Sequence, residues 1–292
     1  MEETTLLSKL GFTSDEQGIA VMLAMLKAHA HRDSLGCIGI TESRLEEAFT
    51  SWWYARRGRF SFFPTADASA DDDVSTRSIL VIFSGLDSRH QIPQWSASIT
   101  AAMGENTLDI LHVLDPSFSC FCQGPEGDWR GCEYFFNEVA NRVSNYGSVM
   151  FVGDAIGASA ALRFSRLANS VLVFAPYIDI AACKTIERTD FAVSVKAEFR
   201  SKLLAELNSG ETMICVHYAE LCKEHCEQVK LLPTKPTIEL VGYRCGETDL
   251  FSHLVGTGDM ASILKRAIAD FLMPTSPNRL SKICAGRFKP VP

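Results

Sequence analysis

Between residues 78 and 272 the chain alternates short apolar runs with longer stretches of helical periodicity. The runs 79–83, 108–114, 149–152, 171–174, 213–217 and 237–241 have strand length and are rich in β-branched and aromatic residues. Between and after them, 93–103, 131–146, 156–167, 191–207, 221–232 and 260–272 place apolar residues at helical spacing. Continuously apolar strands alternating with helices predict a parallel sheet covered on both faces. The expected fold class is therefore α/β, a mostly parallel doubly wound sheet. Right-handed crossovers would then gather the functional loops at the strand C-terminal ends.

The N-terminal part reads differently. Residues 14–31 and 41–53 carry broad apolar stripes at helical spacing, and 60–63 reads as a short strand. The polar, acidic stretch 67–78, DASADDDVSTRS, has no apolar periodicity and reads as a linker. Two units are expected: an N-terminal helical region, 1–66, packed on the core, and an α/β domain, 78–292.

Composition narrows the function classes. The 292 residues carry a net charge of −7, which disfavours a surface that coats nucleic acid. No apolar run reaches the roughly 18–20 residues of a membrane span. The acidic start, Met1-Glu2-Glu3-Thr4, lacks the basic and apolar regions of a secretory signal. A cytoplasmic protein is the expectation. The ten cysteines are scattered and read as free thiols. Cys222 and Cys226, with His225 beside them, lack a second pair at ligand spacing, so neither a metal nor a cofactor is expected.

The distinctive segment is Val152-Gly153-Asp154-Ala155-Ile156-Gly157-Ala158, between a strand and an Ala-rich helix. Small residues two before and two after a central position let strand and helix meet in a sharp turn. Gly153 and Gly157 meet that requirement around Ala155. Centred on Asp154, the flanking residues would be Val152 and Ile156, neither small. The spacing also lacks the Gly-x-Gly-x-x-Gly pattern of a dinucleotide-binding turn. Ser159, one helical turn on, is expected to pack or cap.

This turn resembles the nucleophile elbow of the α/β-hydrolase superfamily, over residues 78–273 of the chain. The resemblance implies a sheet of the α/β-hydrolase type with an N-terminal helical extension and a small lid at 180–210. It places Ala155 at the nucleophile position. His253, after the last strand and before a closing helix that ends in Phe271-Leu272, is the implied general base. Glu224 is the implied acid, with Glu220 and Asp179 as alternatives; Asp249 is near His253 in sequence but in the wrong loop. Oxyanion donors would be the N–H groups of Ile156 and of Leu86, with Gly85 beside it. Gly85, Asp154 and Tyr177 would contact substrate, and Trp95 and Trp129 could line the pocket or pack in the core.

The implied reaction is hydrolysis of a carboxylic ester, thioester or amide of a small acyl substrate. Alanine has no group to attack a carbonyl. Three readings stay open: a serine hydrolase whose serine is replaced at 155, inactive or substrate-trapping as written; a natural non-catalytic relative that binds a small molecule or a protein; and an enzyme with another nucleophile or none.

Overall fold

The computed structural model describes residues 60–63, 77–84, 95, 98–99, 102, 108–115, 119–124, 128–182 and 193–272. The helical patterns expected at 14–31 and 41–53 lie outside these residues. So do Gly85 and Leu86.

Seven strands form one sheet: β1 (Phe60–Phe63), β2 (Ser78–Phe83), β3 (Asp109–Val113), β4 (Ser148–Asp154), β5 (Ser170–Phe174), β6 (Met213–Ala219) and β7 (Ile238–Tyr243). Their spatial order is β1-β3-β2-β4-β5-β6-β7. Strands β2 to β7 pair in parallel, and β1 runs antiparallel on the edge against β3. The sheet thus takes in a strand from before the polar stretch 67–78. This is the doubly wound α/β architecture expected of the α/β-hydrolase type.

Six helices are bounded among the described residues: α1 (Gly131–Val143), α2 (Ala155–Arg163), α3 (Val193–Ser209), α4 (Lys223–Val229), α5 (Leu250–Thr257) and α6 (Asp259–Leu272). Trp95, Ser98, Ile99 and Ala102 are also helical and buried. Helix α5 adds to the elements expected from periodicity. Asp249 accepts a hydrogen bond from the Ser252 N–H at its start, and Gly258, at φ 81°, closes it one residue before α6.

Strand alternation divides the core in two. Ile79, Val81, Phe83, Phe151, Val173 and Val216 face α1, α2 and α3. Leu80, Ile82, Val152, Leu172 and Phe174 face Trp95, Ile99, α5 and α6. Both faces are buried, which is why the central strands read as continuous apolar runs. Within 180–210, α3 buries Phe199, Leu203 and Leu207 against the first cluster, as a crossover helix does.

The chain passes from β2 outward to β3, then returns across β2 to β4 and continues the other way. The reversal places a topological switch point between the C-terminal ends of β2 and β4. There α2 presses onto the sheet. A Cβ at Gly157 would lie 2.3 Å from the Phe83 carbonyl oxygen, and one at Gly153 would lie 2.7 Å from Gly157 backbone. Ala158, Ala160 and Ala161 let the helix sink until Ile156 to Leu162 are all buried.

Gly157→Ala therefore forces backbone apart at the centre of the fold. We expect a loss of about 3 kcal/mol or more in urea unfolding, whereas Gly256→Ala, with open space around it, should change stability little.

Candidate active site

Strand β4 ends at Asp154 and α2 begins at Ala155 without a connecting loop. Ala155 has φ 46°, a left-handed conformation that costs an L-residue about 1–2 kcal/mol. A strained non-glycine residue at a strand-to-helix junction is the local shape of a nucleophile elbow. The first N–H groups of α2 have no partner within the helix. Asp154 makes no capping hydrogen bond to them, and the first turn holds no acidic residue. The amide of Ile156 thus belongs to the positive end of a helix dipole, suited to developing negative charge. Asp154 itself is buried. On the β2 side, Ser84 N–H donates to the Val113 carbonyl at 3.1 Å, so that amide is committed to the sheet.

Ser159 is fully buried and acts as a clamp. Its Oγ donates to the Ala155 carbonyl at 3.0 Å and accepts the Tyr177 N–H at 2.9 Å. It ties the elbow to the loop after β5. That loop begins at Ala175, also left-handed at φ 47°. Its far side is held by Gln228 of α4, whose Oε1 accepts the Ile178 and Asp179 N–H groups, each at 2.8 Å. Gln228 carried no signal in the sequence, because its role comes from a contact fifty residues away in the chain.

The acid candidates occupy distinct surroundings. Asp179 pairs with Arg200 at 2.7 Å and accepts the Ala181 N–H. Glu220 is exposed and reaches over β7, where a Cβ at Gly242 would meet its carboxylate. Glu224 is half-buried in the first turn of α4. Its neighbour His225 is buried; Nδ1 accepts the Ala219 N–H at 3.2 Å and Nε2 donates to the Thr248 carbonyl at 3.1 Å. Both ring nitrogens are engaged in joining the loops after β6 and β7. Burial lowers the His225 pKa, against the opposing pull of the Thr248 carbonyl, Glu224 and Asp249.

His253 lies on α5, half-buried. On α5, Phe251 reaches toward β5, its ring centroid 4.4 Å from that of Trp95 and 6.4 Å from that of Phe174. Phe174 pairs in register with Asp154. His253, two residues after Phe251, leaves the helix about 200° further round. Trp95 is core, Tyr177 half-buried and Trp129 exposed.

A polar group that sequence reasoning passed over sits beside Phe174. His217, buried in β6, lies 2.7 Å through Nδ1 from the Tyr243 hydroxyl and 3.3 Å through Nε2 from Cys215 Sγ. Its ring packs between Phe174 and Tyr243. Burial lowers its pKa to about 3, as it does for His112 in β3. Below pH 6.5 the unfolded chain binds protons on both imidazoles, while the folded protein does so only near pH 3. Stability is thus fully present above pH 6.5 and falls as pH drops through that interval, by about 1.4 kcal/mol per pH unit for each histidine. Urea unfolding at pH 7 and pH 5 should show this loss, and His217→Gln should remove about half of it, leaving the share of His112; an unchanged slope in the variant would contradict the assignment.

Among the described residues no cluster of three metal-ligating side chains occurs, and no helix is long and apolar enough to cross a membrane. By sequence, no family model and no curated protein matches the chain. By structure, it is similar to a substrate-bound fluorophosphonate-binding serine hydrolase F of Staphylococcus aureus (11% identity, 73% of this chain and 91% of that one, TM-score 0.49). It is also similar to Est1E of Butyrivibrio proteoclasticus with ferulic acid bound (9%, 73% and 94%, 0.48). A third similarity is to a glycosylation-associated protein complex of Streptococcus agalactiae (13%, 72% of this chain but 44% of that one, 0.48).

Proposed function

We propose that the chain carries the site of an α/β-hydrolase-type serine hydrolase with the nucleophile oxygen missing, so that as written it binds an acyl compound without forming an acyl-enzyme. The observation that carries this reading is Ala155 at φ 46° on the switch point, flanked by glycines with no room for a Cβ. A strained turn is retained where a nucleophile would stand, and the amide of Ile156 lies at the start of α2.

In this reading a serine at 155 would attack the carbonyl carbon of an ester, thioester or amide. The Ile156 N–H and an N–H from Gly85 or Leu86 would hold the oxyanion. His253 would take the serine proton and pass it to the leaving group, with Glu224 orienting the imidazole. Asp154, Gly85 and Tyr177 would border the substrate. The work is that of a small-molecule hydrolase needing no cofactor.

A second reading, a natural binding or scaffold protein, is favoured by the placement of Phe251. The α5 face turned toward β5 carries the Phe251 ring, and two residues further on His253 leaves the helix about 200° round from it.

Restoring the oxygen separates the two. Under the hydrolase reading, Ala155→Ser gains covalent labelling by a fluorophosphonate probe. It also turns over p-nitrophenyl esters at least about 10³-fold faster than the alanine protein, and adding His253→Ala removes the gain. A folded Ala155→Ser protein that neither labels nor turns over would sink the hydrolase reading and leave the binding one.

A further inference from the structure

Away from the elbow, two thiols stand face to face. Cys122 lies in the connection between β3 and α1, and Cys132 is the second residue of α1. Their sulfurs are 3.5 Å apart, and both are reduced. A disulfide needs about 2.05 Å between sulfurs, and it forms without strain only where the two backbones already lie close. Here they touch: Gly131 N–H donates to the Cys122 carbonyl at 2.9 Å, and a Cβ at Gly131 would lie 2.4 Å from Cys122 backbone. Only glycine permits that approach beside Cys132.

The turn before Cys122 is built to hold it there. Cys120 and Phe121 are both left-handed, at φ 54° and 61°. Asp115, buried, offsets the strain by accepting the Ser119 N–H at 2.7 Å and the Phe121 N–H at 2.8 Å. Cys122 N–H donates to the Ser119 carbonyl, and Gln123 N–H to Ser119 Oγ. Phe121 locks the turn between Phe83 and Phe135. Cys122 is buried, whereas Cys132 is only partly buried.

We propose that Cys122 and Cys132 are a reactive dithiol that a hydroperoxide oxidises to an intramolecular disulfide. Cys132, the more accessible of the two, reacts first. Its sulfur attacks a peroxide oxygen, an S–O bond forms and the O–O bond breaks. With hydrogen peroxide the departing hydroxide takes the thiol proton and leaves as water. Cys122 Sγ then attacks Cys132 Sγ; an S–S bond forms, the S–O bond breaks, and the hydroxide leaves as water with the Cys122 proton. The two sulfurs lose two electrons and one peroxide becomes two waters. The Cys122 thiol is held well above the ordinary thiol range by its hydrogen bond with Cys132, by burial and by negative neighbours, so Cys122 is not the thiol that meets the peroxide first.

The test uses the full chain, reduced, treated with graded hydrogen peroxide while folded, and then unfolded in denaturant for blocking with maleimide, so that buried Cys122 is reached as well. Cleavage after Phe121 and after Arg130 separates Cys120, Cys122 and Cys132, so mass spectrometry can read the linkage. The expected product is the Cys122–Cys132 pair, with both sites losing maleimide together and regaining it after dithiothreitol. Cys132→Ser should leave Cys122 labelled, and Cys122→Ser should leave Cys132 open to dimedone as a sulfenic acid. Linkage of Cys132 to Cys120, independent oxidation of the two thiols, or both staying reduced while Cys226 and Cys245 oxidise would each overturn the proposal. Mapping on the unaltered chain decides the matter even where a variant fails to fold.

Discussion

The structure depends on one close approach, that of the first turn of α2 to the end of β2. Gly157 lies where any side chain would enter the Phe83 carbonyl, and Gly153 allows β4 to run under the same turn. With no Cβ in the way, backbone meets backbone, and the chain has no length left for a loop between β4 and α2. Residue 155 must then turn at positive φ. The strain at Ala155 is thus a consequence of packing at the switch point, whatever side chain stands there.

The two ends of the sheet are used differently. At the strand starts, buried Asp109 accepts from Arg77 and, at 2.7 Å, from the Tyr146 hydroxyl, binding the entries to β2, β3 and β4. Burial, followed by the Asp109 carboxylate, pushes the Tyr146 phenol upward, keeping it a donor. At the strand ends the polar side chains instead join loops. Ser159 links the elbow to the β5 loop, Gln228 holds that loop from α4, and His225 connects the loops after β6 and β7. Each is buried, so each bond forms away from competing water.

Much of this was legible in the chain. The central strands are buried on both faces, so their apolar runs stand out without alternation, and the spacing of Gly153 and Gly157 reported a contact that only glycine permits. Other features left no local trace. β1 joins the sheet from beyond an acidic stretch, and pairing across such a distance has no periodic signature. α5 is two turns long and ends at Gly258, so it fell below the length at which helical periodicity can be counted. The carboxylates Asp179, Glu220 and Glu224 look alike in sequence, and only the fold shows Asp179 engaged by Arg200. The meeting of Cys122 with Cys132 likewise depends on the turn that Asp115 holds.

The central claim is that the switch point presents position 155, and not merely any strained strand end, to a site that supports acyl transfer. Ala175 is the internal comparison, since it is equally left-handed at the end of the neighbouring strand. The direct measurement is the acylation rate of a cysteine introduced at each position, Ala155→Cys and Ala175→Cys, by p-nitrophenyl acetate, with the acyl group mapped by mass spectrometry. The oxyanion donors proposed at the elbow predict about 10²-fold faster acylation at 155; equal rates at the two positions would contradict the account.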